Sequence, residues 1–528
     1  MPLDNTSLPK PMSVALPQQS PFTFRSCLKL SLFALIVGAI LRISFIVAIP
    51  QAFNGSDTRS FTQASDDLWS RHVLGVQHKR RWLYPLLLIA PPAIPAIPPS
   101  ESIPLVQHTL GLLTVVGIGW IVGNITRFRN ILVPGVTTVM AIWPKMLWYE
   151  HEVVAECVFL AAFVLTVALA FPLGSLRNQK RLFWFLISAA LVAAIKPHGR
   201  GIWFGSLVMA GLVTGNPFKW NWKCWGAIAF GILMIVSAGE KRQGNWLLLN
   251  SVLPLVDTEG PTYHEYRQTL KPIVMEARKN IDDYPWLQEK FKKPLGDSDP
   301  SVISPLWASL TADHEKYSKV CGALAKEAVI HHPFMVAKFT IMKAYLSFVN
   351  DHRFSEYMIP EKFWKKQNVE MESRWKGHPV DVQLFYRTDR AGYDQIAADG
   401  AKKRNFIQPF EMAVSHAIDF VDDHEDPVTH HRYMIIGWLG VVTLLGLVCI
   451  VVPSRMLSMG FIWLPASLCI LTVHAVGDKS AQYVHPVEWA FIVCIFVTID
   501  VCLTFAASRF SKSKPGAIAS EELTPSSL

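Results

Sequence analysis

Residues 27–50 read CLKLSLFALIVGAILRISFIVAIP, and residues 53–61 read FNGSDTRSF. The first stretch is a run of apolar side chains carrying Lys29 and Arg42. It is long enough to cross a bilayer core, which takes about 20 residues of helix. The second stretch places a carboxylate, Asp57, just past that crossing. Beyond it, Phe61, Ala64, Leu68 and Val73 fall on one side of a helical pattern, with Asp66, Asp67, Arg71 and His72 elsewhere. That is the pattern of a helix lying in the membrane interface. A carboxylate held there can serve chemistry at the membrane surface. The plainer reading is a helix N-cap formed by Ser56 or Asp57.

The whole chain agrees with the first run. Of 528 residues, 51% are hydrophobic and 17% charged, whereas soluble domains carry about 25% charge. The class is therefore an α-helical polytopic membrane protein. The net charge of +9 would suit nucleic acid, but the basic residues cluster in short loops between apolar runs, as membrane orientation demands. There is no zinc-finger, RRM or basic-helix pattern, which excludes a nucleic-acid partner. Seven of the eight cysteines lie in or beside apolar runs, and only Cys321 lies in the long polar region. One cysteine makes no internal bridge, so that region is expected to fold without disulfides. The first apolar run is too long for a signal peptide and lacks a small-residue cleavage site, so it reads as an uncleaved anchor.

Apolar runs fall at Lys29–Ile49, Ile103–Val122, Ile131–Trp148, Val153–Phe171, Leu182–Ile195, Ile202–Val213, Cys224–Ala238, Met434–Val452, Met456–Val476 and Val487–Ala507. The expectation is about 10 transmembrane helices, within a range of about 9 to 12. Tyr84–Pro98 is apolar but holds five prolines. Proline removes backbone donors that a span in lipid cannot lose, so this segment reads as re-entrant or packed on protein. If it does not cross and the N-terminus is cytoplasmic, Arg127/Arg129, Arg177/Lys180/Arg181, Lys219/Lys223, Arg455 and Arg509/Lys512/Lys514 all fall inside. Both termini are accordingly expected in the cytoplasm. The domains are a disordered tail at 1–26, an N-terminal transmembrane domain at 27–238 with a first outer loop at 51–101, an extracytoplasmic domain at 239–432, C-terminal transmembrane helices at 433–507, and a cytoplasmic tail at 508–528. The outer domain is expected to be mainly helical. Ala325–Val349 shows helical recurrence interrupted at His332-Pro333, and Lys338 and Lys343 favour an interface helix over a span.

That topology brings several chemical groups to the outer face. Glu152 and Glu156 are four residues apart and are expected to share a helix face. Glu156 lies inside an apolar run, where a carboxylate defaults to a functional role, whereas Glu150 reads as a simple interface charge. Lys196, His198 and Arg200 form a cationic cluster at headgroup depth, suited to a phosphate or to snorkelling towards lipid. Arg42 reads as paired or snorkelling, with no assigned role. His424, His430 and His431 stand among acids, but their spacing matches no strong metal motif and reads as a polar junction.

Several ordered pieces then resemble the GT-C glycosyltransferases, polytopic enzymes that use lipid-phosphate sugars and include the protein O-mannosyltransferases and lipid A aminoarabinose transferases. Asp57-Thr-Arg-Ser-Phe61 resembles the family's first outer-loop acid, and Arg81-Trp-Leu-Tyr84-Pro85 resembles its Arg-x-Pro-x-Tyr-Pro segment. Gln107-His-Thr-Leu-Gly-Leu-Leu-Thr114 resembles the following helix. Pro144 and Glu156 resemble the residues flanking the second outer turn, and Ile195-Lys196-Pro197 the Thr-Arg-Pro element. Glu327-Ala-Val-Ile-His-His-Pro333 and Gln482-Tyr483-Val-His-Pro486-Val-Glu488 resemble two later elements. Phe61 stands for the usual Tyr, Thr58 follows Asp57 where the family has an Asp-Glu pair, and Lys196 and Gln482 stand for Arg.

The resemblance implies transfer of a sugar from a polyprenyl-phosphate donor to an extracytoplasmic lipid, glycan or protein acceptor. It implies Asp57 as the general base, with Lys196, Arg200 and His198 on the donor phosphate. Glu156 and Glu152 would form the acceptor or second acidic site. Arg81, Tyr84 and Pro85 would line a lipid groove, and Gln482, Tyr483 and His485 the last outer turn. No cofactor is firmly implied; a divalent metal stays open. The expected location is the bacterial cytoplasmic membrane. Two rival functions are a transporter or flippase and a non-catalytic scaffold presenting the outer domain. There is no internal repeat, and most charged residues sit near span ends, which tells against the first.

Overall fold

The computed structural model describes residues 21–52, 58, 60–62, 64–65, 81, 83–88, 97–236, 248–279, 281, 314–349, 389–395, 453–476 and 485–512. Among them there is helix and no strand. The first helix, α1 (Phe24–Ala48), starts where the Thr23 side chain accepts from the Ser26 N–H, and it stops just before Pro50. A five-residue turn, α2 (Leu83–Leu87), precedes α3 (Pro99–Ile125), which opens with proline at its first position. Next come α4 (Arg129–Ala141) and α5 (Pro144–His151), bent by 48° where Pro144 restarts the helix. The bundle continues through α6 (Glu156–Ala170), α7 (Gln179–Ile195), α8 (Gly199–Thr214) and α9 (Trp222–Val236). Asn178 caps α7 by accepting from two backbone N–H groups. Gly215, at φ 81°, ends α8 in the left-handed region that glycine enters at little cost. The remaining helices are α10 (His264–Lys279), α11 (His314–His331), α12 (Pro333–Val349), α13 (Pro453–Val476) and α14 (His485–Lys512).

Nine of the ten apolar runs are therefore helical, and the tenth, Met434–Val452, lies outside the described residues. Among the described residues, four helices are long and apolar enough to cross a membrane, or five if the bent α4–α5 pair forms one span. That is fewer than the ten expected. The difference is one of length: α6 to α9 hold 15 to 17 residues, about 22–26 Å at a rise of ~1.5 Å, against a hydrocarbon core of about 30 Å.

With the bent α4–α5 pair taken as one element, the connections of the bundle fall at two ends. One end gathers basic residues: Arg25 and Lys29 in α1, Arg127 and Arg129 beside α4, Arg177, Lys180 and Arg181 before and in α7, and Lys219 and Lys223 before and in α9. Asp500, fully buried in α14, is held at this end, where its Oδ1 accepts from the N–H groups of Arg127 and Phe128 at 2.8 Å each. Asp500 thus fixes the turn that leads into α4, at the two residues just before its first helical position. The other end holds the close of α1, the starts of α3, α6, α8 and α14, and the closes of α5, α7, α9 and α13.

One continuous core runs through the bundle from Ala34 to Val497. A second is built from residues 248–256, α10, α11 and Phe339. There Arg267, 1% exposed, donates to the Glu327 carboxylate at 2.6 Å. The expected break at His332-Pro333 separates α11 from α12, but α12 does not lie free in the interface. It packs along α13. Lys343 is fully buried and donates to Ser251 Oγ at 2.8 Å, and that hydroxyl donates to the Ala475 carbonyl. Lys343 thus serves the packing that its charge suggested it would prevent.

Candidate functional site

The non-basic end holds the candidate site. Glu156 opens α6 and Lys196 closes α7, and their side chains form a buried ion pair. The two residues, read separately from sequence as an acidic subsite and a phosphate ligand, are partners here. A lysine ammonium has three donors, so one contact to Glu156 leaves room for an anion.

His198 follows in the turn before α8, buried, with its ring edge-on to Phe159 at 4.8 Å. Burial first, and then the charges of Lys196, His474 and Arg81, push its imidazole well below the ordinary range. The ring is neutral at neutral pH, with the Lys196 ammonium and the Arg81 guanidinium among the groups acting on it. Arg81, buried, donates to the Met234 carbonyl at 2.9 Å and so leans on the close of α9. Arg200 is half-buried in the first turn of α8.

Tyr84 is 1% exposed. Its ring meets Phe61 edge-on at 4.9 Å, and its hydroxyl donates to Gln107 Oε1 at 3.0 Å. Gln107 Nε2 in turn donates to the carbonyls of Glu150 at 3.0 Å and Glu152 at 2.8 Å. Burial, then Cys157, Glu156 and Glu152, push the Tyr84 phenol well above its usual value of 10.0. Tyr84 is therefore a neutral donor that senses both acids of the turn. Pro85 is buried beside it in α2.

Glu152 and Glu156 do not share a helix face. Glu152 is extended, at φ −92° and ψ 144°, and ends α5, while Glu156 begins α6. The four-residue spacing spans a break in the chain rather than a helical turn. The Glu152 carboxylate instead accepts from Trp148 Nε1 at 3.2 Å.

His485, buried at the start of α14, joins the same end. Its ring lies 4.7 Å from Tyr149 and its Nδ1 lies 3.3 Å from Glu488 Oε2. Glu488 also takes Lys145 at 2.7 Å and Trp143 at 3.1 Å. Asp57, Gln482 and Tyr483 lie outside the described residues, as do His424, His430 and His431. Thr58, next to Asp57, is helical, fully buried, and donates to the Val153 carbonyl at 3.3 Å.

The sequence reading misses a second group. Glu150 is no interface charge. It is fully buried and takes Arg42 Nη2 on one oxygen at 2.6 Å and His108 Nδ1 on the other at 2.7 Å. His151, also fully buried, stands 3.0 Å from His108. The available signal is Arg42 itself, since an arginine inside a span calls for a counter-charge. Among the described residues no group of three His, Cys, Asp or Glu is placed to hold a metal ion. No family model matches this chain, and no curated protein or solved structure matches it.

Proposed function

We propose that this chain is a GT-C-type membrane glycosyltransferase that moves a sugar from a polyprenyl-phosphate donor to an extracytoplasmic acceptor. The observation that carries the reading is the gathering of Lys196, Arg81, His198, Glu156 and Tyr84 at the non-basic end of the helix bundle. Two fixed cations against one partnered carboxylate leave net positive charge in a water-poor setting. Such a setting strengthens electrostatic stabilisation of a departing lipid phosphate. The neutral His198 and the neutral Tyr84 add donors without adding charge. The opposite end is the one rich in Lys and Arg and is assigned to the cytoplasm, so the site faces outward.

The full count of about ten crossings belongs to this proposal. In it the short helices α6 to α9 cross with the bilayer thinned around them. Asp57 takes the proton from the acceptor hydroxyl as that oxygen attacks the anomeric carbon, a contribution typically worth about 10² to 10⁴ in rate. The carbon–oxygen bond to the lipid phosphate breaks, and Lys196, with Arg81 and Arg200 near it, holds the phosphate leaving group.

The test uses membranes containing the full chain and a labelled polyprenyl-phosphate sugar. Asp57→Asn and Lys196→Ala should each abolish transfer of label to endogenous acceptor while leaving the protein in the membrane. Transfer at wild-type level in both variants would end the proposal.

A further inference from the structure

The start of α9 presents aromatic side chains that the bundle does not cover. Phe218 is 87% exposed and Trp222 78% exposed, and Trp225 and Trp184 stand out in the same region. The turn that carries these rings is fixed. Pro217–Lys219 forms a single 3-10 turn, and the Phe218 N–H donates to Asn216 Oδ1 at 2.9 Å. Trp220 is buried behind it, and its Nε1 donates to Thr214 Oγ1 at 3.0 Å. Large apolar rings held outward on a fixed turn mark a contact surface.

From Trp222 the exposed side chains continue along α9 through Trp225, Ile232, Leu233 and Val236. At helical spacing these five positions fall on one stripe. From Trp222 to Val236 it runs about 21 Å. The chemistry at its head is cationic. Between Glu156 and Glu240 the sequence holds no acidic residue. Arg177, Lys180, Lys219 and Lys223 are exposed at this end, and none of them forms an ion pair among the described residues. The starts of α7 and α9 are tied together. Gln179 Oε1 accepts from the Asn221 N–H at 3.1 Å, and Cys224 Sγ donates to the Gln179 carbonyl at 3.6 Å. Lys180 and Lys223, next in the chain to those contacts, therefore leave the backbone from neighbouring points. Lys223 Nζ stands 5.7 Å from the centre of the Trp222 ring.

We propose that the starts of α7 and α9 form a binding site for an anionic phospholipid, with its phosphate at Lys180 and Lys223 and an acyl chain along the α9 stripe. The lysines call for an anion that this part of the chain does not supply. A zwitterionic headgroup brings its own ammonium and leaves them uncompensated. A soluble acidic partner could meet the lysines, but not a stripe that runs most of the depth of a hydrocarbon core of about 30 Å. Tryptophan beside lysine suits the boundary between chain and headgroup, where indoles collect. The basic end is the one assigned to the cytoplasm, so the lipid belongs to the inner leaflet. The inference rests on the membrane reading of these helices and not on sugar transfer.

The experiment reconstitutes the full chain in phosphatidylcholine vesicles that carry a minor fraction of acyl-brominated lipid, either phosphatidylglycerol or phosphatidylcholine. Bromine quenches the indoles that it touches. The Trp222 and Trp225 share of the fluorescence is the part that Trp222→Phe/Trp225→Phe removes. Brominated phosphatidylglycerol should quench that share more than brominated phosphatidylcholine at equal fraction, and added salt should narrow the gap. Lys180→Ala/Lys223→Ala should weaken the preference by about five-fold for each lysine lost. Lys180→Arg/Lys223→Arg, which keeps both charges, should retain it. Equal quenching by the two lipids in the wild type would overturn the proposal, as would a preference that survives in Lys180→Ala/Lys223→Ala. Quenching by neither lipid would place the stripe against protein and overturn it as well.

Discussion

Lys196 and Glu156 stand 40 residues apart in the chain and form a buried ion pair between the close of α7 and the start of α6. Such a pair adds little to stability over a well-packed apolar alternative, because desolvation offsets attraction. Breaking one side is another matter. Glu156→Ala leaves the buried Lys196 ammonium without its carboxylate and should cost about 3–5 kcal/mol. Glu156→Ala/Lys196→Ala should recover most of that loss. Thermal unfolding of the purified protein in one detergent, run as a double-mutant cycle, checks the coupling; additive losses would show that the two charges do not interact.

Tyr84 makes stability fall in alkali. Its phenol is held above the ordinary value of 10.0, chiefly by burial and then by Cys157, Glu156 and Glu152. In the unfolded chain tyrosine gives up its proton near pH ~10, while the folded protein keeps it. The folded state then binds more protons, and stability drops as pH rises. The contribution is fully present below about pH 10 and is lost as pH climbs towards the folded value. Tyr84→Phe should flatten this alkaline limb and lower stability at neutral pH by about 1–3 kcal/mol, because Gln107 Oε1 loses its donor. Unfolding followed from about pH 8 to about pH 11 separates the two effects.

The apolar runs were legible because burial in lipid or core writes itself continuously along a helix. Leu182–Ile195 became Gln179–Ile195, with the start set by the Asn178 cap. Clustering of basic residues was equally legible, and they do gather at one end. Pairing was not. Arg42 and Glu150 are 108 residues apart, and no local period joins them; only the packing of α1 on α3 and α4 does. Glu152 and Glu156 illustrate the opposite error, since helical spacing was read across residues whose backbone is extended at Glu152. Gln107 and His108 carry roles that depend on which atoms come opposite them across the bundle.

Gly111 is a direct test of how tightly the Glu150 site is built. A Cβ there would overlap the Glu150 carboxylate, so that side chain must shift against Arg42. Gly111→Ala should destabilise the protein by more than the ~1–3 kcal/mol of ordinary overpacking, because a buried ion pair is disrupted as well. Gly226 in α9 is the control. No atom lies within 4 Å of a Cβ placed there, and alanine is favoured over glycine in a helix by about 0.8–1.0 kcal/mol. Gly226→Ala should therefore be neutral or stabilising in the same melting assay, and equal losses at both positions would contradict the close approach at Gly111.

Asp500 offers a prediction confined to the basic end. Its carboxylate accepts from the backbone N–H groups of Arg127 and Phe128 and so holds the turn that leads into α4. Asp500→Asn keeps one acceptor oxygen and should be mild. Asp500→Ala removes both, and a buried N–H that loses its acceptor costs about 1–3 kcal/mol. The damage should be local, because the Glu156 site stands at the far end of the bundle. Hydrogen exchange should speed at the amides of Arg127 and Phe128 while the amides of residues 150–156 keep their wild-type rates. Uniform acceleration along the chain would mean that Asp500 holds the whole bundle together rather than one helix start.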